Sequence, residues 1–134
     1  MLTVLIIALS IHVLSAVFWA GTSFTLARAG STGGERLLRP QMGAAIVAFL
    51  SGGYLWSVLH DGRFGTTEQV LALGVVCAVA AAGVQGAMGG PAVRALRAND
   101  HVDTARRRFT IAQRIASGLL AVTLVCMVAA RYAA

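Results

Sequence analysis

Four apolar stretches divide the chain, at approximately 2–27, 41–60, 69–93 and 109–131. Each can cross about 30 Å of hydrocarbon, which takes roughly 20 apolar residues. Between them stand Gly30-Ser31-Thr32-Gly33-Gly34, then Asp61-Gly62-Arg63-Phe64-Gly65, and last a polar connector from Arg94 to Arg108 that follows Gly89-Gly90-Pro91. Glu35 to Pro40 reads as a short amphipathic helix or turn at the membrane surface. Short connections favour antiparallel neighbours, and a span in lipid must satisfy its own backbone hydrogen bonds. The pattern therefore predicts an all-α membrane protein, one domain over 1–134, folded as an up-down-up-down four-helix bundle. The first stretch lacks a basic leader and exceeds the roughly 7–15 residues of a signal-peptide core, so it reads as a retained helix.

Within each stretch the polar and small residues share one side at helical spacing. On the first these are His12, Ser15, Ala16, Trp19 and Ser23; on the second, Ala45, Phe49, Gly52, Gly53, Trp56 and His60. The third aligns Gly74, Cys77, Ala78, Ala81, Gln85 and Met88, and the fourth Thr110, Gln113, Arg114, Ser117 and Ala121. These faces are expected to converge on the bundle axis. Gly83, Gly86 and Gly90 form another stripe on the third helix, of the kind that lets a neighbouring backbone approach closely.

Composition agrees: 57% of residues are hydrophobic and 12% charged, with mean hydropathy +0.77. Little chain remains outside the spans, which leaves no room for a soluble catalytic domain. All eleven basic residues are arginine. Arg28, Arg36 and Arg39 lie between the first two spans; Arg94, Arg97, Arg106, Arg107 and Arg108 lie between the last two, with Arg114 just inside the fourth. Arg63 and Arg131 stand on the other side. The positive-inside rule then puts the Arg-rich loops in the cytoplasm and both termini on the non-cytoplasmic side of an inner (cytoplasmic) membrane, crossed several times. The net charge of +6 is assigned to topology and anionic lipid head groups, not to nucleic acid.

His12 is the only ionisable side chain in the run from Leu2 to Ala27. An imidazole in a bilayer is expected to face the bundle interior and to have a partner. At about 1.5 Å per residue it lies about 4–5 Å outward of the midplane, level with Gly52 and Gly53. A histidine opposite glycines, with Trp19 along the same face, suits a flat aromatic cofactor. Haem b is the expectation, with His12 as the metal ligand and Arg28 or Arg114 meeting the propionates. The competing reading of His12 is a hydrogen bond to a backbone carbonyl or to a serine on the next helix. Cys77, Cys126, Met88 and Met127 are soft donors for copper, but no pair has ligand spacing, and Cys126 is expected to point away from the Arg114 and Ser117 face. No acidic residue falls inside a span, and no nucleophile triad, paired-carboxylate site or P-loop is present, which argues against a proton-coupled pump or a hydrolase.

The first helix, IHVLSAVFWAGTSFTLAR, resembles the opening helix of HemJ-type protoporphyrinogen oxidases and CopD-like copper-resistance membrane proteins. There a histidine precedes an aromatic–glycine pair and a basic residue; here those positions are His12, Trp19, Gly21 and Arg28. ERLLRPQM (35–42) and AFLSGGYLW (48–56) resemble the HemJ-type connector and second helix. The third helix departs, with EQVLALG where that family has a lysine-containing start with a nearby histidine. The resemblance implies a four-helix fold, haem binding through His12 and oxidation of protoporphyrinogen to protoporphyrin. The sequence thus carries a haem-dependent redox reading, then a non-catalytic accessory or assembly subunit of a larger membrane complex or a homo-oligomer, and third, copper handling.

Overall fold

The computed structural model describes residues 1–29, 32–60, 62 and 64–133. Among them the elements are α1 (Leu2–Ala29), α2 (Leu38–Leu59), α3 (Thr66–Val84), α4 (Gly90–Arg97) and α5 (Val102–Ala130), and no strand is present. A 3-10 turn, Gly34–Leu37, leads into α2. A π turn, Gln85–Gly89, joins α3 to α4 in one rod, Thr66–Arg97. Four rods are long and apolar enough to cross a membrane. Gly30, Ser31, Asp61 and Arg63, from the two predicted breaks, lie outside the described residues.

The helices outrun the apolar pattern. α2 begins at Leu38 and α5 at Val102, so much of the connector from Arg94 to Arg108 is helical. Arginine is a good helix former, and Arg106, Arg107 and Arg108 stay exposed while Ala105 and Phe109 turn inward. Hydropathy marks where lipid begins; it does not mark where a helix begins.

Much of the outer surface is apolar. Only 6% of the most apolar window of α1 is buried, and Ile6, Leu14, Val17 and Phe24 are exposed. An apolar patch of that extent is a liability in water, whereas in hydrocarbon it is ordinary surface.

Inside, α2 packs on α1, α1 on α5 and α5 on α3, while α2 and α3 barely touch. The ring of helices is closed on three sides and gaps on the fourth. Small residues set the tight side: a Cβ added to Gly74 would lie 3.1 Å from the Cys126 Cβ and 3.4 Å from the Thr123 carbonyl oxygen. Thr123 Oγ1 also donates to the Gly74 carbonyl at 3.0 Å.

That contact corrects the expected face of α5. The buried positions are Ala112, Gln113, Ala116, Leu120, Thr123 and Cys126, whereas Arg114 and Ala121 are exposed. Cys126 points into the helix–helix contact. Close packing selects small residues at the contact, and a face drawn through polar residues alone is rotated away from them. One apolar cluster, with Trp19, Ala45, Ala81 and Leu120, fills the middle of the bundle, and a second, with Leu26, Leu38, Val93 and Phe109, lies towards the Arg-rich end.

The π turn has a local cause. Gly90 N–H donates to the carbonyls of both Gln85 and Gly86. Pro91 follows and has no N–H to offer, so carbonyls before it lose their regular partner and the helix widens.

Candidate functional site: a cleft between the second and third helices

The bundle interior is built in two layers. Towards the Arg-rich end, three glutamines with no exposed surface meet: Gln41 of α2, Gln85 at the π turn and Gln113 of α5. Gln85 Nε2 donates to Ser23 Oγ at 2.8 Å and to Gln113 Oε1 at 3.0 Å. Gln113 Nε2 donates to Gln41 Oε1 at 3.1 Å, and Gln41 Nε2 to Thr22 Oγ1 at 3.0 Å. Trp19 Nε1 completes the layer by donating to Gln85 Oε1 at 2.7 Å. All four long apolar rods are thereby tied together by uncharged hydrogen bonds, which satisfies groups that would be costly to strand in an apolar interior.

The Trp19 ring also borders the second layer. Beyond it, in the half that carries the termini, lies a cavity of about 440 Å³ lined by residues of α1, α2, α3 and α5. Trp19, Phe49 and Trp56 give aromatic walls, and Ala16, Gly52 and Ala72 leave the space. Trp19 and Phe49 meet edge to face, centroids 5.8 Å apart. The lining is apolar and the space is open on one side, so it suits hydrocarbon or an apolar ligand.

His12 brings the one ionisable side chain among the described residues of the lining. Its Nδ1 lies 2.9 Å from the Ala48 carbonyl oxygen and 3.2 Å from Ser51 Oγ. Ser51 Oγ donates to the Val47 carbonyl at 2.6 Å, so both neighbours of Nδ1 are acceptors and the ring proton resides there. Nε2 makes no hydrogen bond among the described residues. Metal-bound histidines are commonly oriented in this way, with the other ring N–H on a backbone carbonyl. Gly52 lets the ring sit there, since a Cβ at that position would lie 2.9 Å from His12 Cε1. Thr123 also lines the cavity, but its hydroxyl is engaged by the Gly74 and Leu119 carbonyls.

Of the expected site residues, His12, Trp19, Gly52 and Gly53 border this one cavity, and Arg28 and Arg114 do not. Arg28 lies sixteen residues along α1 from His12, about 24 Å at 1.5 Å per residue, with its guanidinium 5.4 Å from the Phe24 ring centroid. Arg114 Nε donates to the Ala27 carbonyl at 3.3 Å, where the end of α1 leaves carbonyls without helical partners. Both belong beyond the glutamine layer. No cation lines the cavity, so the residues present suit a macrocycle and do not hold its carboxylates inside. Among the described residues no three His, Cys, Asp or Glu side chains gather in a metal-binding group. Cys126 is buried and Cys77 half-buried, both unpaired by disulfide.

Sequence reasoning placed Gln85 and Gln113 on inward faces but missed the layer they form with Gln41. A signal existed: an amide inside a span is expensive unless bonded, and Gln41, Gln85 and Gln113 all fall inside the spans.

Compared with models of known protein families, with curated proteins and with solved structures, the chain matches none.

Proposed function

We propose that this is a small integral membrane protein that binds a flat apolar ring ligand in the α2–α3 cleft, with haem b as the ligand and His12 as the residue that would hold it. The observation that carries this reading is His12 itself: Nδ1 is committed to the Ala48 carbonyl, Nε2 makes no hydrogen bond among the described residues, and the residue lines an aromatic-walled cavity. Haem, when bound, supplies a one-electron couple, and the role that follows is electron transfer or porphyrin oxidation of the HemJ-type kind. This chain's part is to orient the imidazole through Ala48 and Ser51, to clear space with Gly52 and to exclude water with Trp19, Phe49 and Trp56. Arg28, Arg36 and Arg39 and the second arginine group face the cytoplasm in this reading, with the termini opposite.

A second reading, an accessory subunit of a larger membrane complex, draws on the third helix. Cβ atoms built at Gly83, Gly86 and Gly90 would meet nothing within 4 Å, so that stripe has no close neighbour among the described residues.

The absorption spectrum of the freshly purified protein tests the proposal. A Soret band that is lost in His12→Ala is expected. A colourless protein that co-purifies stoichiometrically with larger subunits would overturn the haem reading in favour of the second.

A further inference from the structure

We infer that the cavity receives its ligand sideways, from the bilayer hydrocarbon through the gap between α2 and α3, so that the ligand class is a ring compound dissolved in the membrane rather than in water. This rests on the cavity being the binding site; it does not depend on the ligand being haem.

The routes can be taken in turn. Towards the Arg-rich end the cavity is stopped by Trp19, 3% exposed, and by the three fully buried glutamines bonded to it or to one another. Towards the termini it is capped by Trp56, whose ring stacks on His60 with centroids 4.9 Å apart and planes at 23°. His60 Nε2 in turn lies 3.8 Å from Glu68 Oε1. Glu68 is itself anchored, because its Oε2 accepts the Gly65 N–H at 2.8 Å at the start of α3. The pair therefore bridges the end of α2 to the start of α3, two helices that otherwise barely touch. On the flanks α1 packs on α2 and on α5, and α5 packs on α3.

What remains is the lateral gap. Its rim includes Gly53, Val75 and Val76, all exposed and all part of the cavity lining. A Cβ at Gly53 would meet nothing within 4 Å. A solute arriving from water must displace the Trp56–His60–Glu68 cap, whereas one dissolved in lipid meets only apolar side chains. The same gap lets a lipid tail fill the space when no ligand is bound.

The chain contains two tryptophans, Trp19 and Trp56, and both line the cavity, so its intrinsic fluorescence reports on this space. In Trp56→Phe, Trp19 is the sole tryptophan and is excited selectively beyond the tyrosine band. Reconstituted into phosphatidylcholine vesicles with brominated acyl chains, this variant is expected to lose most of its emission relative to unbrominated vesicles, and to be insensitive to aqueous acrylamide. Adding Gly53→Leu, which obstructs the gap, is expected to restore the emission. If Trp56→Phe does not fold, the wild-type protein and Gly53→Leu give the same comparison. Equal emission in brominated and ordinary vesicles, or strong quenching by acrylamide, would overturn the lateral route. A protein without a Soret band but with lipid-quenched Trp19 loses haem and keeps this inference; a haem-containing protein with unquenched Trp19 in its haem-free form does the reverse.

Discussion

Replacing Gln85 by methionine keeps the length of the side chain and removes its polar end. Three interhelical hydrogen bonds are lost, from Trp19 Nε1 at 2.7 Å, to Ser23 Oγ at 2.8 Å and to Gln113 Oε1 at 3.0 Å. Bonds of this kind in a bilayer average about 0.6 kcal/mol, so together they come to about 2 kcal/mol. The partners do not suffer equally. Ser23 still donates to the Trp19 carbonyl, and Gln113 still exchanges with Gln41. Trp19 Nε1–H has no second acceptor among the described residues, and a buried donor left unpaired costs about 1–3 kcal/mol more. The expected loss is about 3–5 kcal/mol in all. Equilibrium unfolding in mixed micelles measures it. A double-mutant cycle with Trp19→Phe isolates the stranded donor, since phenylalanine has no N–H and the glutamine change should then cost less by about 1–3 kcal/mol. A loss below about 0.5 kcal/mol with no coupling to Trp19 would refute the reasoning and leave the bundle held by small-residue packing alone.

Two further substitutions probe the cleft and the tight side. Gly52→Ala places a methyl group 2.9 Å from His12 Cε1, so the imidazole must shift off the Ala48 carbonyl; a loss of about 1–3 kcal/mol is expected, together with weaker haem retention read from the Soret intensity. Gly53→Ala, where a Cβ meets nothing within 4 Å, should change neither. Thr123→Val deletes the hydroxyl that donates to the Gly74 carbonyl at 3.0 Å and keeps the shape; unfolding should show a loss of about 0.6 kcal/mol, and an unchanged midpoint would mean that packing alone sets the α3–α5 spacing.

The four spans were legible because length and hydropathy are properties of the sequence itself. The neighbourhood of His12 and Gly52 was legible too, because counting residues from the ends of two antiparallel spans gives depth. Rotation was harder. The face of α5 was drawn through Arg114 and Ser117, but the helix turns Ala112, Ala116 and Cys126 inward, because backbone approach at Gly74 decides the contact. Arg28 and Arg114 were assigned by charge and interface position, but Arg28 lies about 24 Å along α1 from His12 and Arg114 turns to the Ala27 carbonyl. The open α2–α3 side was not legible, since nothing in either helix alone says that its neighbour is absent.

The π turn at Gln85–Gly89 sets the phase of everything after it. Each helical residue advances the side chains by about 100°. Were the turn to tighten into a regular α turn with every residue kept, each later residue would move one place further along the rod. Ala92 would then arrive where Val93 now sits, 6% exposed in a cluster with Phe109 and Leu38, and Val93 would take the exposed place of Arg94. One surplus residue of backbone thus decides whether this rod offers its neighbours a valine or an alanine.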